Sequence, residues 1–272
     1  MLNKTLIILG MHRSGTSFTA QQIHLSGINL GDEMLGSGIG NVNGHFEDLD
    51  FYNFHEKIFQ NNNISYGGFS VPSKINITEE QKKEAINIVN KKNTLYQEWG
   101  WKDPRTCLFI DFWNSIIPNS KILILFRDYD DVVSSLINRD LKTIYIKKTL
   151  YEKLFRNDKK IINQLKELYF NSWIEYNQRI LNFIKTKDSN NILVLSFSDL
   201  AKNIKPLFTY INEVWNFSSL EINQEKIVSF DKSLLSSKKH YGFKQSKKIE
   251  LANSIFLELE KQSLDSLKKL KK

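Results

Sequence analysis

A single cysteine, Cys107, stands in the whole sequence, so one chain cannot build a disulfide framework or a cysteine-rich metal site. That scarcity fits a reducing compartment, and a cytoplasmic location is the expectation. Long apolar runs are missing as well. The opening stretch from Thr5 to Leu9 is too short to cross a bilayer and leads straight into a glycine loop, so it reads as a buried strand rather than a signal peptide. No RNA-binding signature, helix-turn-helix, internal repeat or interdomain linker is present. The net charge of +8 comes largely from lysines spread over expected helices and the tail, among them Lys268, Lys269, Lys271 and Lys272. Such runs are ordinarily a solvated face. An anionic small molecule, rather than nucleic acid, is therefore the expected partner.

What is present is a chain of 272 residues, 41% hydrophobic and 12% aromatic, enough for a sizeable core. The expectation is one α/β domain over residues 1–272, with a helical elaboration at about 139–187 and a C-terminal helix at about 247–272. Isoleucine- and leucine-rich runs at Thr5 to Leu9, Lys121 to Phe126 and Ile192 to Leu195 read as buried strands, with a shorter one at Trp99 to Lys102. Helices are expected from near Thr16 to Leu25, Leu49 to Gln60, Thr78 toward Gln97, near Asp131 onward, Lys159 to Lys185 and Leu200 to Phe217. Thr78-Glu79-Glu80-Gln81 is a capping box. Strands alternating with helices imply a parallel sheet covered on both faces.

The most informative stretch is Gly10-Met11-His12-Arg13-Ser14-Gly15-Thr16-Ser17. A strand, a glycine-bearing loop and a helix start make a phosphate cradle, because loop and first-turn N–H groups converge on an anion. Gly10, Gly15 and Ser17 stand where the triphosphate loop pattern requires them, but Thr16 replaces its lysine. The positive charge sits inside the loop instead, at Arg13. The loop therefore suits a phosphate- or sulfate-like group other than a standard triphosphate. Arg127-Asp128-Tyr129-Asp130-Asp131 follows the Lys121 strand at once, and such a polar cluster lies where open α/β sheets bind ligands.

Three stretches together resemble the sulfotransferases that use 3′-phosphoadenosine 5′-phosphosulfate. The loop from Gly10 to Ser17 is similar to the family's 5′-phosphosulfate loop, and Arg127 to Ser135 to its 3′-phosphate motif, with Tyr129 where proline is usual. Gly44-His45-Phe46-Glu47-Asp48 with Trp101-Lys102-Asp103-Pro104-Arg105 resembles the bacterial branch, whose members often act on carbohydrates. The second half matches only in outline, through Leu193 to Leu200. The resemblance implies a P-loop-type fold, the phosphosulfate as co-substrate, no metal, and a small-molecule or glycan hydroxyl acceptor. It assigns Arg13, Ser14, Gly15, Thr16, Ser17, Arg127 and Ser135 to the nucleotide.

It also assigns Arg13, Glu47 and Lys102 to catalysis, Glu47 as the base with His45 and Asp48 as rivals. Lys102 would approach the sulfate, or else pair with Asp103 or Glu98. Lys238 and Lys239 would close over the 3′-phosphate. Two loops, Gly31 to Gly44 and Asn61 to Ser73, with the helical region after Arg139, would shape the acceptor pocket, with Phe51, Tyr52 and Phe69 as rings that either stack on a sugar or fill space. A nucleotide or small-molecule kinase and an inactive nucleotide-binding module are the competing readings. Thr16 in the lysine position speaks against the kinase.

Overall fold

The structure is a computed structural model that describes residues 3–36, 44–147, 158–221 and 239–271. Four parallel strands form its sheet: β1 (Lys4–Leu9), β2 (Glu98–Lys102), β3 (Lys121–Phe126) and β4 (Ile192–Ser196), in the order β2-β1-β3-β4. β1 is flanked on both sides, with Ile8 opposite Lys102 and Leu9 opposite Ile124. All four strands are almost wholly buried, as a sheet covered on both faces requires.

Alternation along each strand divides the core. Ile7, Leu9, Trp99, Trp101, Ile122, Ile124 and Phe126 point into one apolar cluster, while Leu6, Ile8, Leu123, Leu125, Leu193 and Leu195 point into the other. Phe51 of α2 (Leu49–Asn61) stacks on Trp101 in the first cluster, with ring centroids 4.2 Å apart. The long helix α6 (Asp158–Ile184) buries Tyr169, Trp173 and Tyr176 there too, so its aromatic stripe is core. Helices α1 (Thr16–Leu25) and α7 (Phe197–Glu213) contribute to the second cluster.

Local signals explain most boundaries. The capping box opens α3 (Glu79–Leu95), with Gln81 N donating to Thr78 Oγ1 at 3.2 Å and Thr78 N to Gln81 Oε1 at 2.9 Å. Pro104 occupies the first turn of a 3₁₀ helix (Pro104–Leu108) capped by Asp103, where its missing N–H costs nothing. That turn runs into α4 (Ile110–Ile116), an element not foreseen from the sequence. Expected ends also shift by a few residues: the Thr78 helix stops at Leu95, and the helix expected from Leu200 to Phe217 begins at Phe197 and ends at Glu213. The expected helical elaboration is α5 (Tyr129–Lys147) and α6, and the C-terminal helix is α8 (Lys247–Leu270), with 148–157 outside the described residues. Among the described residues, no helix is long and apolar enough to cross a membrane.

Candidate active site

Because the strands are parallel, their C-terminal ends share one edge of the sheet, and each delivers one part of a common cleft. β1 leads into the Gly10–Gly15 loop, β2 ends on Lys102, β3 is followed by Arg127 and β4 by Phe197.

The loop is tightly built. A Cβ on Gly10 would lie 2.3 Å from the Leu125 carbonyl oxygen, and one on Gly15 would lie 2.2 Å from the Phe197 ring. Gly15 also takes φ +88° where it caps α1, a conformation that L side chains rarely adopt. No side chain caps that helix, so its positive end faces the loop. Arg13 holds φ 69°, a left-handed backbone uncommon for a residue with a Cβ and a feature that clusters at ligand sites. These features fit an oxyanion lodged against backbone N–H groups. The Cys107 thiol accepts from Gly10 N at 3.3 Å beneath the loop; burial pushes its pKa up to about 12, so it stays a thiol.

The two arginines meet. Arg13 Nε donates to Ser135 Oγ at 2.9 Å, and Arg127 Nη1 reaches the Arg13 carbonyl oxygen at 3.5 Å. Ser135 thus sits between the first-strand loop and the third-strand motif. Arg127 also bonds Asp131 at 3.2 Å and lies over the Phe197 ring at 5.1 Å, so Phe197 touches both Gly15 and Arg127. Arg13 is desolvated, and the charges of Arg139 and Arg127 add to that; its pKa falls to about 10. Such a concentration of positive charge suits a polyanion. His12 beside it is held neutral: burial first, then the Arg139 charge, lower its pKa to about 3.

On the other side of the loop, Lys102 is fully buried and joins three segments. Its Nζ donates to Glu47 Oε1 at 2.8 Å, to Ser17 Oγ at 3.1 Å and to the His45 carbonyl oxygen. Neither expected partner is used. Asp103 is taken by Arg105 and His55, and Glu98 by Lys4, Ser218 and Ser219. Arg105 is 2% exposed and pairs with Asp103 and Glu56, so it is structural in this cleft.

Glu47 lies in a short antiparallel pairing. Leu35 N donates to the Glu47 carbonyl oxygen at 2.8 Å, Leu49 N donates to Glu33 at 2.8 Å, and Met34 bridges Asp48. Asp48, a rival for the base, has other work. Its Oδ1 caps α2 through Asp50 N, and its Oδ2 pairs with Lys92 at 2.6 Å. Lys92, itself 2% exposed, also holds Asp32 at 2.8 Å and Asp50 at 3.3 Å. Nothing local to these residues marks this clasp. It ties together the two stretches that carry Glu47.

Two of the three expected sugar-facing rings are core: Phe51 is inaccessible, and Phe69 is 8% exposed against His12 and Tyr169. Tyr52 alone remains half-buried. Lys238 lies outside the described residues. Lys239 is inside them, and its carbonyl oxygen accepts from Asn138 Nδ2 on α5 at 3.2 Å, one turn beyond Ser134 and Ser135. A separate cavity between Ser70 and the outer face of α6 shares none of these residues. Among the described residues, no three His, Cys, Asp or Glu side chains converge as metal ligands.

A family model for the sulfotransferase domain matches residues 3–269. The chain belongs to the sulfotransferase family. The chain is similar to solved sulfotransferase structures, and the first of those that follow shares the fold. One is the sulfotransferase domain from the curacin biosynthetic pathway, at 14% identity and a TM-score of 0.52, covering 94% of this chain and 98% of that one. Another is the domain from the Synechococcus PCC 7002 olefin synthase, at 13% identity and a TM-score of 0.48, covering 97% and 95%. Sulfotransferase STF1 of Mycobacterium tuberculosis H37Rv matches at 10% identity and a TM-score of 0.47, covering 94% and 77%. No curated protein matches the chain in a sequence search.

Proposed function

We propose that residues 1–272 act as one sulfotransferase domain that moves a sulfuryl group from 3′-phosphoadenosine 5′-phosphosulfate to a hydroxyl of a small molecule or glycan, with a carbohydrate as the favoured acceptor. The observation that carries this reading is the meeting of Arg13, Ser135 and Arg127, through the Arg13–Ser135 bond at 2.9 Å and the Arg127–Arg13 contact at 3.5 Å, which supports two anion grips in one cleft. One adenosine derivative with phosphate at both its 3′ and 5′ positions needs two such grips at a fixed separation.

In this reading the loop from Arg13 to Ser17 and the α1 terminus hold the 5′-phosphosulfate, and Arg127 and Ser135 hold the 3′-phosphate. Glu47 accepts the proton of the acceptor hydroxyl. The hydroxyl oxygen bonds to sulfur as the bond from sulfur to the bridging oxygen breaks. Arg13 and Lys102 meet the negative charge that develops on the departing phosphate. Lys102 has a second task, since its contacts to Ser17 and Glu47 set the spacing between donor loop and base. His45 reaches Lys102 through its carbonyl oxygen, and its ring, which burial keeps neutral near pH 7, is the alternative base.

Thermal shift separates the readings. A ligand at 100 times its dissociation constant adds about 2.7 kcal/mol of apparent stability. Adenosine 3′,5′-bisphosphate is expected to stabilise the protein without magnesium. Stabilisation by Mg·ATP alone would favour the kinase. Bisphosphate binding without transfer of labelled sulfate to any glycan or phenol would favour an inactive binding module.

A further inference from the structure

The segment from Ser65 to Phe69 is braced more firmly than a surface loop needs. Gly68 N closes a turn on the Ser65 carbonyl oxygen at 2.8 Å, and Ser65 Oγ donates to the Phe69 carbonyl oxygen at 2.9 Å. His12 Nε2 donates to the Gly67 carbonyl oxygen at 3.1 Å, and the Tyr176 hydroxyl to that of Gly68 at 3.1 Å. Gly67 leaves no room for a side chain, because a Cβ would lie 2.4 Å from the Phe69 ring. At the head of this rigid turn stands Tyr66, which is 67% exposed. Its ring adds little to the core, yet its backbone is fixed to the phosphate loop through His12.

Opposite it stands Tyr52, in the first turn of α2, where its N–H donates to the Asp48 carbonyl oxygen at 2.9 Å. The two rings meet edge-on, with centroids 6.1 Å apart, planes at 67° and their hydroxyls bonded. One face of Tyr52 covers the Arg105 guanidinium at 4.1 Å. Arg105 in turn lies close enough to Glu47 to feel its charge. Burial works against the guanidinium, but Asp103, with Glu47 and Glu56 behind it, raises its pKa. The two tyrosines therefore form a corner, one wall on the helix that follows Glu47 and the other tied to the phosphate loop through His12.

We propose that Tyr66 and Tyr52 are the ring-stacking subsite for the acceptor, and that the acceptor is a pyranose unit of a saccharide. This rests on the sulfotransferase reading above. A rigid tyrosine offers contact area with little entropy lost on binding, and its face and hydroxyl match the C–H face and hydroxyl edge of a sugar. The openness of the corner decides between ring types. A phenol gains affinity from enclosure in an apolar pocket, whereas a platform as exposed as Tyr66 accommodates one residue of a longer chain with its neighbours in solvent.

The test uses the full-length chain with the phosphosulfate donor. Acceptors are hexasaccharides of the N-acetyllactosamine, chondroitin and heparosan types, with 4-nitrophenol for comparison. Tyr66→Ala is expected to raise the saccharide KM about tenfold, with kcat and bisphosphate affinity little changed. Tyr66→Trp is expected to restore the KM. An unchanged saccharide KM in Tyr66→Ala would overturn the subsite. So would sulfation of 4-nitrophenol alone, or no sulfation of any saccharide by a wild-type protein that still binds the bisphosphate. Failure of the wild type to bind the bisphosphate would strike instead at the sulfotransferase reading itself.

Discussion

Replacing Lys92 with methionine tests whether the three-carboxylate clasp serves the candidate base. Lys92 and Asp48 are each 2% exposed and 2.6 Å apart. Removing one partner of a buried ion pair leaves the other charge uncompensated and costs about 3–5 kcal/mol. For a chain of this size that corresponds to a drop in Tm of roughly 6–20 °C. The pairing that carries Glu47 lies directly on the clasp, since Met34 bridges Asp48 and Leu35 bonds Glu47. A shift of the base by about 1 Å is enough to lower turnover roughly 10²-fold. Bisphosphate affinity should hold, because Arg13, Arg127 and Ser135 belong to other segments.

The pH dependence has a definite sign. Burial opposes ionisation of Asp32 and Asp50, but hydrogen bonds from lysine overcome it, and both folded-state pKa values lie below the ordinary one. Their contribution is present above the unfolded aspartate pKa and is lost as the pH falls through the lowered values. At Asp48 burial dominates and raises the pKa, so this group works against the fold above its ordinary pKa. Lys92 loses to burial but gains more from Asp32 and Asp48, and its raised pKa keeps its contribution through neutral pH. Circular-dichroism melts from pH 3 to 8, with initial-rate transfer assays at pH 7, read both effects. The acid loss from Asp32 and Asp50 should flatten in Lys92→Met. A Tm within 2 °C of wild type together with full turnover would refute the reasoning.

Three further outcomes follow from the cleft. Glu47→Gln should lower kcat by about 10²–10⁴-fold, with bisphosphate affinity unchanged by calorimetry; retained turnover would remove Glu47 as the base. Arg127→Ala should weaken bisphosphate binding by at least about tenfold, the loss of one charged hydrogen bond, while the melting temperature of the free protein moves little. Gly15→Ala places a Cβ 2.2 Å from the Phe197 ring at φ +88°. It should both destabilise the fold and abolish nucleotide binding, measured by melting and by titration.

Much of this architecture was legible where one stretch of chain carries its own signal. Thr5 to Leu9 had its apolar run, Thr78 to Gln81 its capping box, and Lys159 to Lys185 its helical period, and each forms the expected element. Arg13 stood out as the charge inside the glycine loop and Arg127 as the polar residue closing a buried strand, whereas Ser135 was named only by the family resemblance; the parallel sheet brings all three to one edge. Contacts between distant segments were not legible. Lys102 meets Glu47 across 55 positions, so the nearby Asp103 and Glu98 looked like equal partners. Lys92 lies in a run of polar and charged residues that reads as a solvated face; only the approach of Asp32, Asp48 and Asp50 to α3 reveals its buried clasp. Phe51 and Phe69 carry no local mark separating a core ring from a sugar platform. Phe197 had one usable signal, an aromatic at the junction of β4 and α7 on the ligand edge. α4 is only seven residues long, too short for a periodic pattern to stand out.

The shortest route to the heart of the account is a calorimetric titration with three nucleotides in parallel: adenosine 3′,5′-bisphosphate, adenosine 5′-monophosphate and adenosine 3′-monophosphate. If Arg13's loop and Arg127 hold the two ends of one molecule, the bisphosphate should bind at least about tenfold more tightly than either monophosphate, and its advantage over the 5′-monophosphate should vanish in Arg127→Ala while that over the 3′-monophosphate persists. Equal affinities for all three would mean that the cleft has one phosphate site, and the assignment of two would be wrong.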